Sequence, residues 1–125
     1  MKILIMSGGS GERFWPLSTK ERPKQLLSLV SDKSMIRETV DRVMHYMKIE
    51  DIFIATNEIQ SNAISTELSD IPKDNIIIEP EFKDTAAAIA YSSMIISRDS
   101  TKDEVIAVLA SDHLIQDVDA FVEKI

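Results

Sequence analysis

The chain contains no cysteine, which excludes disulfides and thiolate metal sites and leaves the compartment unspecified by redox chemistry. No apolar run approaches the length of a membrane span, and the apolar stretch Ile3 to Met6 is too short for the core of a secretory leader. Neither a membrane partner nor export is expected, so the cytoplasm is the default location. Positive charge is scarce: 14 Lys and Arg stand against 21 Asp and Glu, a formal net charge of −7 with a pI near 4.8. Such a field repels polyanions, which argues against a nucleic-acid partner, and any anion this chain binds must be gripped by local donors. Internal repeats, low-complexity tracts and linkers are all missing. Glycine is nearly missing too, and the three present are Gly8, Gly9 and Gly11.

What is there suits one domain. A chain of 125 residues with 44% apolar content can bury a real core. Apolar runs at 2–6, 51–56, 75–79 and 105–109 read as buried strands, the three isoleucines at 76–78 suggesting one covered on both faces. Between them lie helical patterns. Ser34 is placed to cap a helix reaching Tyr46 or Met47, with Ile36, Val40, Val43 and Met47 spaced for one face. Asn57 is placed to cap the next, which runs from Glu58 to Ser69, buries Ile59, Ala63, Ile64 and Leu68, and is closed by Pro72. Asp84 is placed to cap a third helix from Thr85, rich in alanines that are expected mostly to pack on the sheet. The last segment, with Phe121, Val122 and Ile125, is amphipathic. Strands alternating with helices imply right-handed crossovers and a mainly parallel sheet with helices on both faces.

The glycines follow the first predicted strand and open a long run from Gly8 to Gln25. Glycines can adopt backbone angles closed to other residues and let a ligand lie against bare amides, as a phosphate-holding loop requires. Two familiar fingerprints do not fit. The dinucleotide pattern needs a third glycine where Phe14 stands, and the phosphate loop of NTPases needs a Gly-Lys-Ser/Thr ending. Two further motifs also follow predicted strands, Glu79-Pro80 after the third and Ser111-Asp112-His113 after the fourth. In a parallel sheet all three would gather at one edge, where ligands of open α/β folds bind.

These three stretches together carry a resemblance. Gly8-Gly9-Ser10-Gly11-Glu12-Arg13-Phe14-Trp15-Pro16-Leu17-Ser18 with Pro23-Lys24-Gln25, then Glu79-Pro80 and Asp84-Thr85-Ala86-Ala87-Ala88-Ile89, then Val108 to His113, resemble the signature of the sugar-1-phosphate nucleotidyltransferases. The Phe14 to Ser18 wording is closest to the branch that uses GTP and mannose 1-phosphate. The resemblance implies a Rossmann-like nucleotidyltransferase fold, truncated, with residues 1–125 forming the N-terminal nucleotide-binding part of a longer domain. That part alone is expected to be inactive, and any self-association to run through the missing C-terminal part.

The implied reaction joins a sugar 1-phosphate to the α-phosphorus of GTP and releases pyrophosphate. The attacking oxygen is already ionised, so no general base is needed and catalysis rests on alignment and charge neutralisation. On this resemblance Gly8, Gly9, Ser10, Gly11 and Glu12 wrap the triphosphate, Arg13 forks onto the departing pyrophosphate, and Lys24 reaches the α-phosphate and the incoming phosphate. Asp112 holds Mg2+ against the phosphates. Glu79 and Pro80 meet the guanine, whose adjacent N1 and N2 donors suit a carboxylate, and Thr85 and Ala86 lie against the nucleoside. Arg22 and Lys20 are read as surface charges, and His113 as structural or hydrogen-bonded to a neighbour. Three positions depart from the family pattern: Glu12, where a neutral or small residue is common, and Ala87 and Ala110, where proline is common. Two alternatives stand beside this reading. One is a sibling enzyme using UTP, dTTP or ATP; the other is a nucleotide-binding module without turnover.

Overall fold

A computed structural model of the chain describes residues 1–9, 14–81, 83–101 and 103–125. Four strands form one parallel sheet: β1 (Lys2–Met6), β2 (Ile52–Asn57), β3 (Ile76–Glu79) and β4 (Ile106–Ala110), in the order β3-β2-β1-β4. Between them lie α1 (Met35–Met44), α2 (Glu58–Glu67) and α3 (Asp84–Ile96), and α4 (Val118–Val122) follows β4. The architecture is the α/β fold with a parallel sheet that the alternating pattern predicts.

Two layers of apolar side chains hold helices on opposite faces. Ile3 and Ile5 of β1 and Ile52 and Ile54 of β2, none more than 1% exposed, meet Ile36, Val40 and Val43 of α1 and Ile64 of α2. Leu4, Ala55 and Ile77 point the other way and meet Ile96 of α3, as the two-residue alternation of a strand demands. Each fully buried isoleucine or leucine contributes about 1.5–3 kcal/mol. The first two crossovers step in one direction, from β1 to β2 to β3, with α1 and α2 on the same face. The third steps back across the sheet, with α3 beneath, so the strand order reverses beside β1. That is the switch point at which crevices open in doubly wound sheets.

Ser34 and Asn57 cap their helices as expected, accepting from Arg37 N at 3.2 Å and Gln60 N at 3.0 Å. Other expectations are corrected. The isoleucine run of β3 marks an edge strand with Ile78 39% exposed, and β4, at the other edge, is only half-buried; an apolar run does not distinguish a central strand from an edge strand. The helix of α1 ends at Met44, although Met47 still packs on the core. In α2 Ile59 is 62% exposed, and Gln60 takes the buried position. Asp84 does not cap α3: it is the first helical residue, at φ 63°, and Lys83 precedes it without a side-chain capping bond. Of the alanines Ala86, Ala87, Ala88 and Ala90, only Ala88 is buried. Among the described residues no helix is long and apolar enough to cross a membrane.

Candidate active site

Strand register aligns the three motifs. Asn57 faces Glu79 across β2 and β3, while Met6 of β1 faces Ala55 on one side and Ala110 on the other. Carried two residues further, the same transverse row reads Glu79, Asn57, Gly8, Asp112. With about 4.8 Å between neighbouring strands, three intervals span about 14 Å.

The loop leaving β1 is tied down from the α1/α2 side. Ser7 O accepts from Gln25 Nε2 at 3.0 Å and from Thr56 Oγ1 at 3.3 Å; Gly8 O accepts from Asn57 Nδ2 at 3.2 Å, and Gly9 O from Gln60 Nε2 at 2.9 Å. Gln25 Nε2 also donates to Gln60 Oε1 at 3.0 Å. Buried amide side chains must satisfy their polar atoms, and here they do so on the loop. Sequence reasoning assigns these residues no functional part. The signal it could use is a glutamine three positions after a helix cap, among residues that otherwise face the core. Gly8 and Gly9 do not need the left-handed backbone expected of them, since neither has such a φ. Gly8 leaves room for the Glu79 side chain instead: a Cβ there would lie 2.8 Å from Glu79 Oε1 and displace that carboxylate, whereas Gly9 has open space around it. Ser10, Gly11, Glu12 and Arg13 lie outside the described residues.

Lys24 and Asp112, distant in sequence, meet at the rim. Lys24 begins a short 3-10 turn whose following residues, Gln25 and Leu26, are buried, and that anchoring aims its side chain. The ammonium pairs with Asp112 Oδ2 and lies 5.6 Å from the centroid of the Phe14 ring, within cation–π range. Ser111 N donates to Met6 O at 3.2 Å, which extends the β1–β4 ladder one residue past β4 and fixes where Asp112 begins. Beyond it, His113 O accepts from Arg42 Nη2 at 3.1 Å, while the imidazole is exposed, with Nε2 4.0 Å from Asp112 Oδ1. Arg42 itself is buried, and desolvation lowers its pKa. Lys20 and Arg22 are exposed, as expected of surface charges.

At the other end of the row, Glu79 is 8% exposed and has no hydrogen-bond partner among the described residues. Burial pushes its pKa above the ordinary 4.5, because a desolvated carboxylate is disfavoured in its charged form. It lines a groove of about 330 Å³ with Pro80, Ala87, Ala88 and Tyr91, within the size range of small-molecule pockets. Thr85 and Ala86 are exposed in the first turn of α3 and do not line the groove, whose lining passes from Lys83 to Ala87. Among the described residues no three His, Asp or Glu side chains cluster to hold a metal by themselves.

A parallel sheet with its strand order reversing beside a glycine loop, and a lysine and an aspartate paired at that reversal, define a nucleotide-handling α/β protein. Residues 2–125 match the Nucleotidyl transferase family, and the chain belongs to it. Among curated relatives it is 39% identical over 121 residues to mannose-1-phosphate guanylyltransferase of Escherichia coli K12, covering 94% of this chain and 25% of that one. It is 36% identical over 124 residues to the mannose-1-phosphate guanylyltransferase of Klebsiella pneumoniae, covering 98% and 26%. A crystal structure from Thermus thermophilus, described as mannose-1-phosphate geranyltransferase, superposes with a TM-score of 0.84 at 30% identity, covering 98% of this chain and 35% of that one. The chain thus spans about a quarter of the length of these curated relatives.

Proposed function

We propose that the complete protein transfers the guanylyl group of GTP to mannose 1-phosphate, and that residues 1–125 are its N-terminal, nucleotide- and metal-binding part. The observation that carries this reading is the Lys24–Asp112 pair at the switch point, on the row that also holds Gly8 and Glu79. An oxygen of the sugar phosphate attacks the α-phosphorus. The bond from that phosphorus to the bridging oxygen breaks, and pyrophosphate leaves with the electron pair.

Lys24 neutralises charge shared by the α-phosphate and the incoming phosphate, the amides of the glycine loop hold the triphosphate, and Arg13 takes the departing pyrophosphate. Asp112 is the protein's ligand for Mg2+, which, when bound, offsets phosphate charge and orients the chain of phosphates. Glu79 accepts from guanine N1–H and N2–H with its two oxygens, an edge that cytosine and uracil lack. Its partial desolvation, with no carboxylate partner among the described residues, supports this assignment, since such an acceptor is held ready for donors. Pro80 and the start of α3, Thr85 and Ala86 included, flank the nucleoside.

The test is pyrophosphate exchange by the complete natural protein with GTP, UTP, dTTP, CTP and ATP, each with Mg2+ and mannose 1-phosphate. Exchange fastest with GTP is expected. Exchange fastest with another nucleotide would make it a sibling enzyme of the same class, and nucleotide binding without any exchange would make it a binding module.

A further inference from the structure

Three consecutive carbonyl oxygens leaving β1, those of Ser7, Gly8 and Gly9, are each held by a side chain of Gln25, Thr56, Asn57 or Gln60. We propose that Gln25, Asn57 and Gln60 are positioning residues that set the anion-binding face of the glycine loop by fixing its carbonyls on the opposite side. The inference rests on the nucleotide reading above and assigns these residues no contact with the ligand.

The geometry follows from the peptide plane. In a trans peptide, the carbonyl of one residue and the N–H of the next point in opposite directions. The only cis peptide among the described residues is Trp15–Pro16. Holding Ser7 O therefore aims the Gly8 N–H away from Gln25, and holding Gly8 O aims the Gly9 N–H away from Asn57. Neither N–H has a partner among the described residues, and each faces away from the side chains that hold the carbonyls. Backbone amides need partners, and successive free amides turned the same way form an anion-binding concavity.

Glycine makes this arrangement hard to keep without support. Two adjacent glycines sample wide backbone angles, and ordering them on binding would cost conformational entropy. The latch removes that freedom in advance. Gln25 and Gln60 are 4% and 2% exposed and bonded to each other, so their amide groups cannot turn without leaving a buried polar atom unpaired. Gln25 also follows Lys24 in the same short turn. One turn thereby positions both the ammonium and the amides, and the two kinds of phosphate donor keep a constant relation.

The experiment uses Gln60→Met, which keeps the side chain's length and removes both the donor to Gly9 O and the acceptor for Gln25. In the complete natural protein, GTP with Mg2+ and guanosine are titrated by calorimetry against wild type and variant. Only GTP carries phosphates to the loop. Its affinity is expected to fall about ten-fold or more, while guanosine affinity changes by less than about two-fold; a general loss of structure would weaken both.

A wild type that binds GTP no more tightly than guanosine would overturn the nucleotide-loop reading itself. A wild type that prefers GTP, with a Gln60→Met variant whose preference is undiminished, would overturn the latch alone. Should the variant fail to fold, the wild type still decides. The amide resonances of Gly8 and Gly9 are expected to shift on addition of inorganic tripolyphosphate, and unmoved resonances in a protein that prefers GTP would overturn the proposal.

Discussion

Replacing Glu79 with Gln should move binding and stability in opposite directions. Glu79 is 8% exposed as a residue, its carboxylate has no hydrogen-bond partner among the described residues, and its pKa is raised by desolvation. Gln keeps the shape and one acceptor but presents an NH2 to a guanine donor, so one charge-assisted bond is lost and a donor faces a donor. At about 1.5–3 kcal/mol per bond to a charged group, GTP affinity should drop by about 2 kcal/mol or more, roughly 30-fold. UTP and CTP affinities should not change.

The free protein should become more stable at neutral pH, since a partly desolvated carboxylate is replaced by a neutral amide. The sign follows from proton uptake. Below the ordinary 4.5 both states carry the proton. As pH rises through that value, the unfolded chain releases its proton first and the native state loses stability, until the raised native pKa is passed. The variant lacks that decline, so its advantage in urea unfolding should grow from pH about 4.5 upward. GTP binding by the wild type should weaken as pH falls through the native pKa, where the protonated carboxyl offers one acceptor fewer. An unchanged nucleotide preference would mean that Glu79 does not meet the base, and a variant less stable than wild type at neutral pH would mean that its carboxylate is not strained by desolvation.

Lys24→Ala should reduce turnover by the complete protein by about three orders of magnitude, because a unit charge pair near 4 Å is worth about 4 kcal/mol at an effective dielectric near 20. Its melting temperature should barely move, since the Lys24–Asp112 pair is partly exposed and such pairs contribute about 1 kcal/mol or less. Thermal scans beside steady-state rates check both halves. Gly8→Ala should displace the Glu79 carboxylate, which lies 2.8 Å from the new Cβ, and should lower the preference for GTP over UTP in competition binding. Gly9→Ala, with open space around its Cβ, should fold normally and leave the Glu79 groove and that preference intact.

Much of the fold can be read from local pattern, because its strands are apolar runs and three of its helices, α1, α2 and α4, carry their own caps. Sheet order and edges cannot be read in that way. Ile76 to Ile78 look like a central strand, yet β3 lies at an edge with Ile78 exposed, and nothing local records which neighbour is missing. The site divides similarly. Lys24 and Asp112 stand in recognisable motifs at strand or turn boundaries, and parallel pairing brings them together. Gln60 does not stand in a motif. Its burial in place of Ile59 depends on what the β1 loop offers, so a periodicity argument that places Ala63, Ile64 and Leu68 against the core misplaces Ile59 alone. Asp84 likewise has the composition of a cap but sits at positive φ inside the helix boundary.

If acidic, basic and backbone groups meet at one sheet edge around a metal-bound triphosphate, nucleotide binding must depend on the metal through Asp112. GTP should be titrated into wild type and Asp112→Ala with and without Mg2+. The wild type should lose affinity when Mg2+ is withdrawn, and Asp112→Ala should bind GTP with little dependence on Mg2+. An equal dependence in both proteins would contradict the account.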